Sequence, residues 1–214
     1  MGTDGHGVTT LVAFHGCPLR CKYCLNPQCF SSSGILSELT PEELYNQVKK
    51  DELYFLATYG GVTFGGGEPL LRSGFIKEFL ELGAKKWHTT IETSLNVARE
   101  HLLLLKPYID HYIVDIKDMN SKTYKAYTAE SNYKVLCNLK WLVNEGLADK
   151  VTIRIPKIFK YNDSKDQQIS KLKLQEMGFS RFDLFEYKLA DGFWENRKRK
   201  KMLEKNVIHN TGII

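Results

Sequence analysis

Cys17-Pro18-Leu19-Arg20-Cys21-Lys22-Tyr23-Cys24 sets three cysteines at C-x3-C-x2-C spacing, directly after an apolar, strand-like run over Val8–His15. Three thiolates so close in sequence reach one small object only if the loop wraps around it. Structural zinc usually takes four protein ligands, and zinc ribbons recruit a second Cys/His pair downstream. No such pair follows here, so three ligands look like the full set. Iron–sulfur clusters are typically held by cysteine thiolates, ideally four. A cluster with three protein ligands keeps one iron open for a small molecule, as a catalytic metal keeps an open coordination position. Three reduced thiols in a buried loop, or a zinc site, are the competing readings.

Outward from that loop the chain alternates strand-like and helix-like runs. Candidate strands are Val8–His15, Val62–Phe64, His88–Thr93, His111–Lys117, Val151–Ile155 and Phe182–Tyr187. They are short, rich in Val, Ile, Thr and Phe, and several lack strict alternation, as parallel strands covered on both faces should. Thr40-Pro41-Glu42-Glu43 is an N-cap, an N1 proline and first-turn acids, opening a helix expected to run to about Ala57. Further helices are expected over Gly74–Leu82, Val97–Leu105, Tyr133–Glu145, Ser164–Met177 and Phe193–Leu203, with Gly146 and Gly178 at C′ positions. Alternating β and α implies a parallel sheet with right-handed crossovers. A complete eight-unit barrel takes about 250 residues. The six units here predict an α/β fold, a partial (βα)6 TIM-like open barrel in one domain over residues 1–214.

Composition is that of an ordinary globular chain, with 43% hydrophobic and 26% charged residues. The longest apolar runs, such as Leu102–Leu105, are far too short to span a bilayer. Met1-Gly2 lacks the Ser or Thr that myristoylation needs at position 6, where His6 stands. The expected location is the cytoplasm, with no membrane partner. Five cysteines, three of them clustered, argue against a disulfide framework. Cys137, in an apolar helical run, reads as a small core residue. Cys29, close to the loop, reads as a free thiol, with a spare ligand as the alternative. Part of the net charge of +5 sits in Arg197-Lys198-Arg199-Lys200-Lys201, which fits a solvated helix face or a dock for an acidic protein. No basic patch interleaved with aromatics suggests nucleic acid.

In a barrel of this kind chemistry sits at the C-terminal ends of the strands. The cysteine loop follows the first strand and Gly65-Gly66-Gly67-Glu68-Pro69 the second. Glu92-Thr93-Ser94 ends the third, Asp115 and Lys117 the fourth, Arg154 lies late in the fifth, and Lys188 ends the sixth. A purely structural barrel would not require polar groups at one end of every strand. The glycine triplet lets backbone approach a ligand, or is simply a tight turn. Asp115 and Lys117, two apart, share a strand face, where they form either a structural ion pair or part of a site.

These motifs together resemble the radical S-adenosylmethionine (radical SAM) superfamily, and within it the glycyl radical enzyme activating enzymes with a single cluster. The resemblance covers Thr3 to about Lys188 and implies one [4Fe-4S] cluster on Cys17, Cys21 and Cys24, whose open iron chelates the methionine moiety of SAM. It implies SAM contacts from Tyr23, Leu25, Gly66, Gly67, Glu68, Asp115, Ile116, Lys117, Arg154 and Lys188. Asp115-Ile116-Lys117 matches the family's aspartate–leucine–lysine motif, and Lys117 is implied in catalysis. Glu92-Thr93, where relatives carry aspartate–threonine, would with Asp115 hold a monovalent cation, Na+ or K+. Thr3-Asp4-Gly5-His6-Gly7 matches the family's opening with His6 in its proline position, and Asp4 is implied in meeting the substrate peptide.

By that resemblance the reduced cluster cleaves SAM to methionine and a 5′-deoxyadenosyl radical, which takes a hydrogen atom from a glycine Cα of a partner enzyme. The sixteen residues between Cys24 and Pro41 leave no room for a second, ferredoxin-like domain, as in activators of pyruvate formate-lyase. The partners implied are a glycyl radical enzyme and reduced flavodoxin or ferredoxin, with the chain itself a monomer. Two other readings are a radical SAM enzyme of small-molecule type, such as a 7-carboxy-7-deazaguanine synthase, and a non-enzymatic electron carrier or zinc module.

Overall fold

In a computed structural model, residues 5–187 are described. Six strands, β1 (Thr9–Phe14), β2 (Gly61–Gly66), β3 (His88–Thr93), β4 (His111–Asp115), β5 (Val151–Lys157) and β6 (Arg181–Glu186), form one sheet in sequence order. Every neighbouring pair is parallel. β1 and β6 are the two edges, so the barrel is open, as the six-unit count predicts.

Most strands set an apolar face outward and polar residues inward, while β4, with buried Ile113 in register with Glu92 on the inner face, lacks strict alternation as expected. Val62, Phe64, Ile91, Tyr112, Val114, Ile153 and Ile155 are buried under the helices. The intervening Thr63, Thr90, Glu92, Asp115, Thr152, Arg154 and Asp183 occupy the opposite face. Burial of β2 on both sides therefore reflects a filled polar interior rather than a second apolar layer.

The helix from Pro41 does not run through to Ala57. It divides into α1 (Pro41–Val48) and α2 (Glu52–Thr58) at a 3-10 turn over Lys49–Asp51. Asp51 accepts a hydrogen bond from Thr10 Oγ1 of β1 (2.6 Å) and Glu52 one from Trp87 Nε1 (3.0 Å). The break thus serves tertiary bonds that no helical pattern announces. Trp87 lies at the centre of an outer aromatic cluster, stacked on Tyr45 at 5.3 Å and met edge-on by Phe55 at 5.4 Å. The Thr40 capping box forms as expected.

α3 (Ser73–Glu81), α4 (Arg99–Leu105), α6 (Tyr133–Asn144) and α7 (Ser164–Glu176) match the expected helices within a turn. The helix α5 (Ser121–Thr128) is an addition, started by Asn120, whose Oδ1 accepts from the amides of Lys122 and Thr123. Cys137 is only half-buried, because α6 turns Val135, Leu139 and Leu142 to the core. The expected helix Phe193–Leu203 lies outside the described residues.

At the N-terminal ends of β3 and β4, remote from the predicted site, His111 Nε2 lies 3.0 Å from Thr152 Oγ1 and the His6 and His88 rings stand 5.6 Å apart. Burial pushes the His111 imidazole down to about 4, helped by His88, Arg181 and His6. A histidine depressed in the folded state contributes stability above its unfolded value and loses it on acidification. The protein is therefore expected to lose stability as pH falls from about 6.5 toward about 4. His111→Gln is expected to flatten that limb of a melting-temperature profile.

Candidate active site

The cysteine loop is fixed from two sides. Gly16 donates to the Cys29 carbonyl (3.0 Å), while its own carbonyl accepts from the Glu68 amide (2.8 Å) and Gly67 N donates to Phe14 O (2.8 Å). The loop is thereby stitched to the glycine turn after β2. On the other side the amides of Arg20 and Lys22 donate to Thr128 O and Tyr127 O at the end of α5 (2.8 and 3.1 Å). Arg20 Nη1 closes the loop on itself through Cys17 O (2.6 Å) and Leu19 O (2.9 Å). The helix that sequence reasoning missed is thus one wall of the site.

Cys17, Cys21 and Cys24 are half-buried, and Cys29 is buried beside them in a 3-10 turn. Burial pushes the Cys17 thiol up to about 12 and the Cys21 thiol upward, with Lys117 opposing the latter. Metal binding must therefore displace protons. Among the described residues no three His, Cys, Asp or Glu side chains converge as ligands of a single ion. Thiolates bound to different irons of one cluster stand farther apart than ligands sharing one ion. Three thiols, one short of the four ligands a structural zinc takes, fit a cluster.

The glycine turn is a close-packed cradle. A Cβ on Gly67 would stand 2.2 Å from Gly16 O, and one on Gly66 (φ +92°) 2.8 Å from Ala13 Cα. Asn26 Nδ2 donates to Gly66 O (3.2 Å), tying the turn to the loop again. Gly67→Ala is expected to cost about 2–3 kcal/mol by overpacking, measured by urea unfolding, because the atoms it meets are backbone and cannot rotate away.

Glu68 is fully buried and accepts four hydrogen bonds. Oε1 takes Thr93 Oγ1 (2.7 Å) and Leu70 N (3.3 Å); Oε2 takes Ser94 N (2.9 Å) and Ser94 Oγ (2.7 Å). Burial pushes its carboxyl up against the pull of those bonds. Its side chain is a brace between the ends of β2 and β3, and its backbone is engaged by Gly16 O and the Leu71 amide.

Asp115 and Lys117 pair as predicted, Nζ to Oδ2 at 3.0 Å, although β4 ends at Asp115. Burial pulls the Lys117 ammonium down, but Asp115 and the surrounding Tyr187, Cys21 and Tyr127 outweigh it and hold its pKa well above the usual value. Ile116 turns its side chain into the core. Tyr23 is buried, its ring met edge-on by Tyr127 at 5.9 Å and Tyr161 at 5.8 Å. Leu25, 70% exposed, stands on the rim. Arg154 ties Glu92, Asp115 and Asp183 together.

One end of the sheet therefore brings together the cysteine loop, Gly66–Glu68, Thr93, Asp115, Lys117 and Arg154. Ser94 joins them at the end of β3 as expected, and Tyr127, Tyr161, Tyr187 and Asp183 join without any signal in the sequence. Asp4 and Lys188, like the run Arg197–Lys201, lie outside the described residues. No helix among the described residues is long and apolar enough to cross a membrane.

The profile of the Radical SAM superfamily matches residues 11–172. A pyruvate formate-lyase-activating enzyme of Clostridium pasteurianum is 32% identical over 220 residues, covering 94% of this chain and 91% of that protein. One from Staphylococcus aureus (strain USA300) is 33% identical over 177 residues, 79% of this chain and 70% of that one. Among solved structures, Streptococcus suis SuiB bound to S-adenosylmethionine superposes with a TM-score of 0.63 at 16% identity. It aligns with 95% of this chain, which spans 48% of that one, and at such identity shows the fold alone. The fold, the three-thiol loop and the relatives agree: this chain belongs to the radical SAM superfamily and, within it, to the pyruvate formate-lyase-activating enzyme family of glycyl radical activases.

Proposed function

We propose that this chain installs a glycyl radical on a partner glycyl radical enzyme, pyruvate formate-lyase being the class of partner, using SAM and one [4Fe-4S] cluster. Cys17, Cys21 and Cys24 would hold the cluster. When bound, cluster and SAM supply reductive cleavage to methionine and a 5′-deoxyadenosyl radical, which draws a hydrogen atom from the glycine Cα. The relative that is 32% identical and matched over 91% of its length carries this reading most directly.

The chain's own residues divide the remaining work. Gly66 and Gly67 keep backbone at the ligand's approach, where any side chain would collide with β1 or its loop. Glu68 fixes that turn against Thr93 and Ser94. Lys117, charged and buried, holds a fixed positive charge beside Cys21 and steadies Asp115. Tyr23, Tyr127 and Tyr161 exclude water from the loop's flank. The gap between edge strands β1 and β6 is the opening through which a peptide loop would enter.

We assign Asp4 to the peptide and Lys188 to SAM by family position, and the Arg197–Lys201 run to an acidic flavodoxin or ferredoxin donor. The chain is read as one domain acting as a cytoplasmic monomer. The test is anaerobic incubation of the reconstituted protein with SAM, a strong reductant and pyruvate formate-lyase, with appearance of the glycyl doublet by EPR expected. SAM cleavage without that doublet for any glycyl radical enzyme, but stimulated by a small molecule, would overturn the partner. No SAM cleavage would overturn the reading entirely.

A further inference from the structure

The resemblance assigns Glu92, Thr93 and Asp115 to a monovalent cation, but in the structure each already answers to a protein group. Arg154 Nη1 donates to Glu92 Oε1 at 2.7 Å, while its Nε stands 3.7 Å from Asp115 Oδ1 and 3.6 Å from Asp183 Oδ2. Thr93 Oγ1 donates to Glu68 and accepts from the Leu95 amide (2.9 Å). Asp115 Oδ1 is buried and makes no hydrogen bond, the Arg154 guanidinium being the cation beside it, while Glu92 and Thr93 are taken up by protein donors and do not fit a free alkali ion. We propose that the guanidinium of Arg154 takes the place of that cation, so that SAM binding by this chain requires neither Na+ nor K+. The inference rests on the SAM-dependent reading above.

Register and reach explain the arrangement. Arg154 lies directly opposite Asp115 on β4 and Asp183 on β6, so those two carboxylates flank it by strand pairing alone. Glu92 is two strands away and meets the guanidinium across the concave interior. Aspartate at that position would withdraw its carboxylate by one methylene, and the 2.7 Å bond is the contact that would open. The Phe185 ring stands 5.1 Å from the guanidinium carbon on the remaining side, fixing its position.

The charges balance in the same sense. A guanidinium is always ionised and presents its donors in a fixed fork that matches carboxylates. Among the described side chains, the carboxylates of Glu92, Asp115 and Asp183 meet the cations of Arg154 and Lys117 here. A covalently tethered cation, with its side chain 18% exposed, provides this balance without exchanging with the medium. Arg154 is thus a positioning residue, orienting the carboxylates that face the ligand.

The test is SAM binding to the anaerobically reconstituted protein in choline, sodium and potassium chloride at matched ionic strength. It is read by calorimetry and by the SAM-induced change in the reduced-cluster EPR spectrum. The unsubstituted protein is expected to bind equally within about twofold in all three salts, screening being the same. Glu92→Asp is expected to become salt-selective, binding SAM about tenfold more tightly in Na+ or K+ than in choline. A comparable gain for the unsubstituted protein overturns the inference and leaves the SAM reading standing, and this arm needs no variant to fold. Equal binding by Glu92→Asp in all three salts also overturns it, since the ion's place would not be the one Arg154 fills. Failure to bind SAM in any salt overturns the functional reading itself, and the inference with it.

Discussion

Serine at Cys17, Cys21 or Cys24 is expected to abolish cluster assembly and to lower SAM cleavage by more than about 10³-fold, the equivalent of ~4 kcal/mol in the barrier. A hydroxyl is a hard, weakly acidic ligand where soft thiolate is required. The backbone of the loop does not depend on those thiols. It is held by Arg20, by the Gly16–Glu68 and Gly67–Phe14 bonds, and by the end of α5. The cluster-free variants are therefore expected to unfold within about 1 kcal/mol of the parent, separating loss of the cluster from loss of the fold. Cys137→Ser, on the outer side of α6, is expected to keep both cluster and activity. Iron and acid-labile sulfide analysis, with SAM cleavage under a strong reductant, checks the set. A Cys21→Ser protein retaining full iron and sulfide content would remove the three-ligand assignment.

Loss of Glu68 is expected to be the most destabilising polar substitution in the chain. In Glu68→Ala the two hydroxyls of Thr93 and Ser94 can turn to other acceptors, but the amides of Leu70 and Ser94 cannot. Two buried N–H groups without partners cost about 1–3 kcal/mol each, so a loss of about 3–5 kcal/mol is expected for the whole brace. Glu68→Gln, nearly isosteric, is no remedy. Each carboxylate oxygen faces one backbone N–H, so whichever way the amide is placed its NH2 meets a donor. Urea unfolding at neutral pH measures both variants. A Glu68→Gln protein as stable as the parent would show that the brace carries little energy, and Glu68 would then matter through the ligand alone.

What could be read from the sequence was whatever repeats or lies in one local motif. The strands were readable because short β-branched runs recur between capped helices, and Thr40, Gly146 and Gly178 marked helix ends by local backbone chemistry alone. Cysteine spacing is local in the same way, so the cluster loop and its missing fourth ligand were visible at once. The α1–α2 break and helix α5 were not, since the first answers to Thr10 and Trp87 and the second to a single Asn120 cap in a polar stretch.

The sequence by itself determined the alternating parallel architecture, the end of the sheet where chemistry gathers, and the family. It also exposed Glu92 as a departure, without saying what the extra methylene does. Only the tertiary structure decided how the polar residues divide between bracing and binding. Glu68 points its side chain at β3, Ile116 turns to the core, Tyr23 is enclosed by tyrosines, and Glu92 closes on Arg154. The reason is physical: a side chain's role depends on which groups from distant strands meet it inside the barrel, and register and sheet curvature, not local sequence, set those meetings.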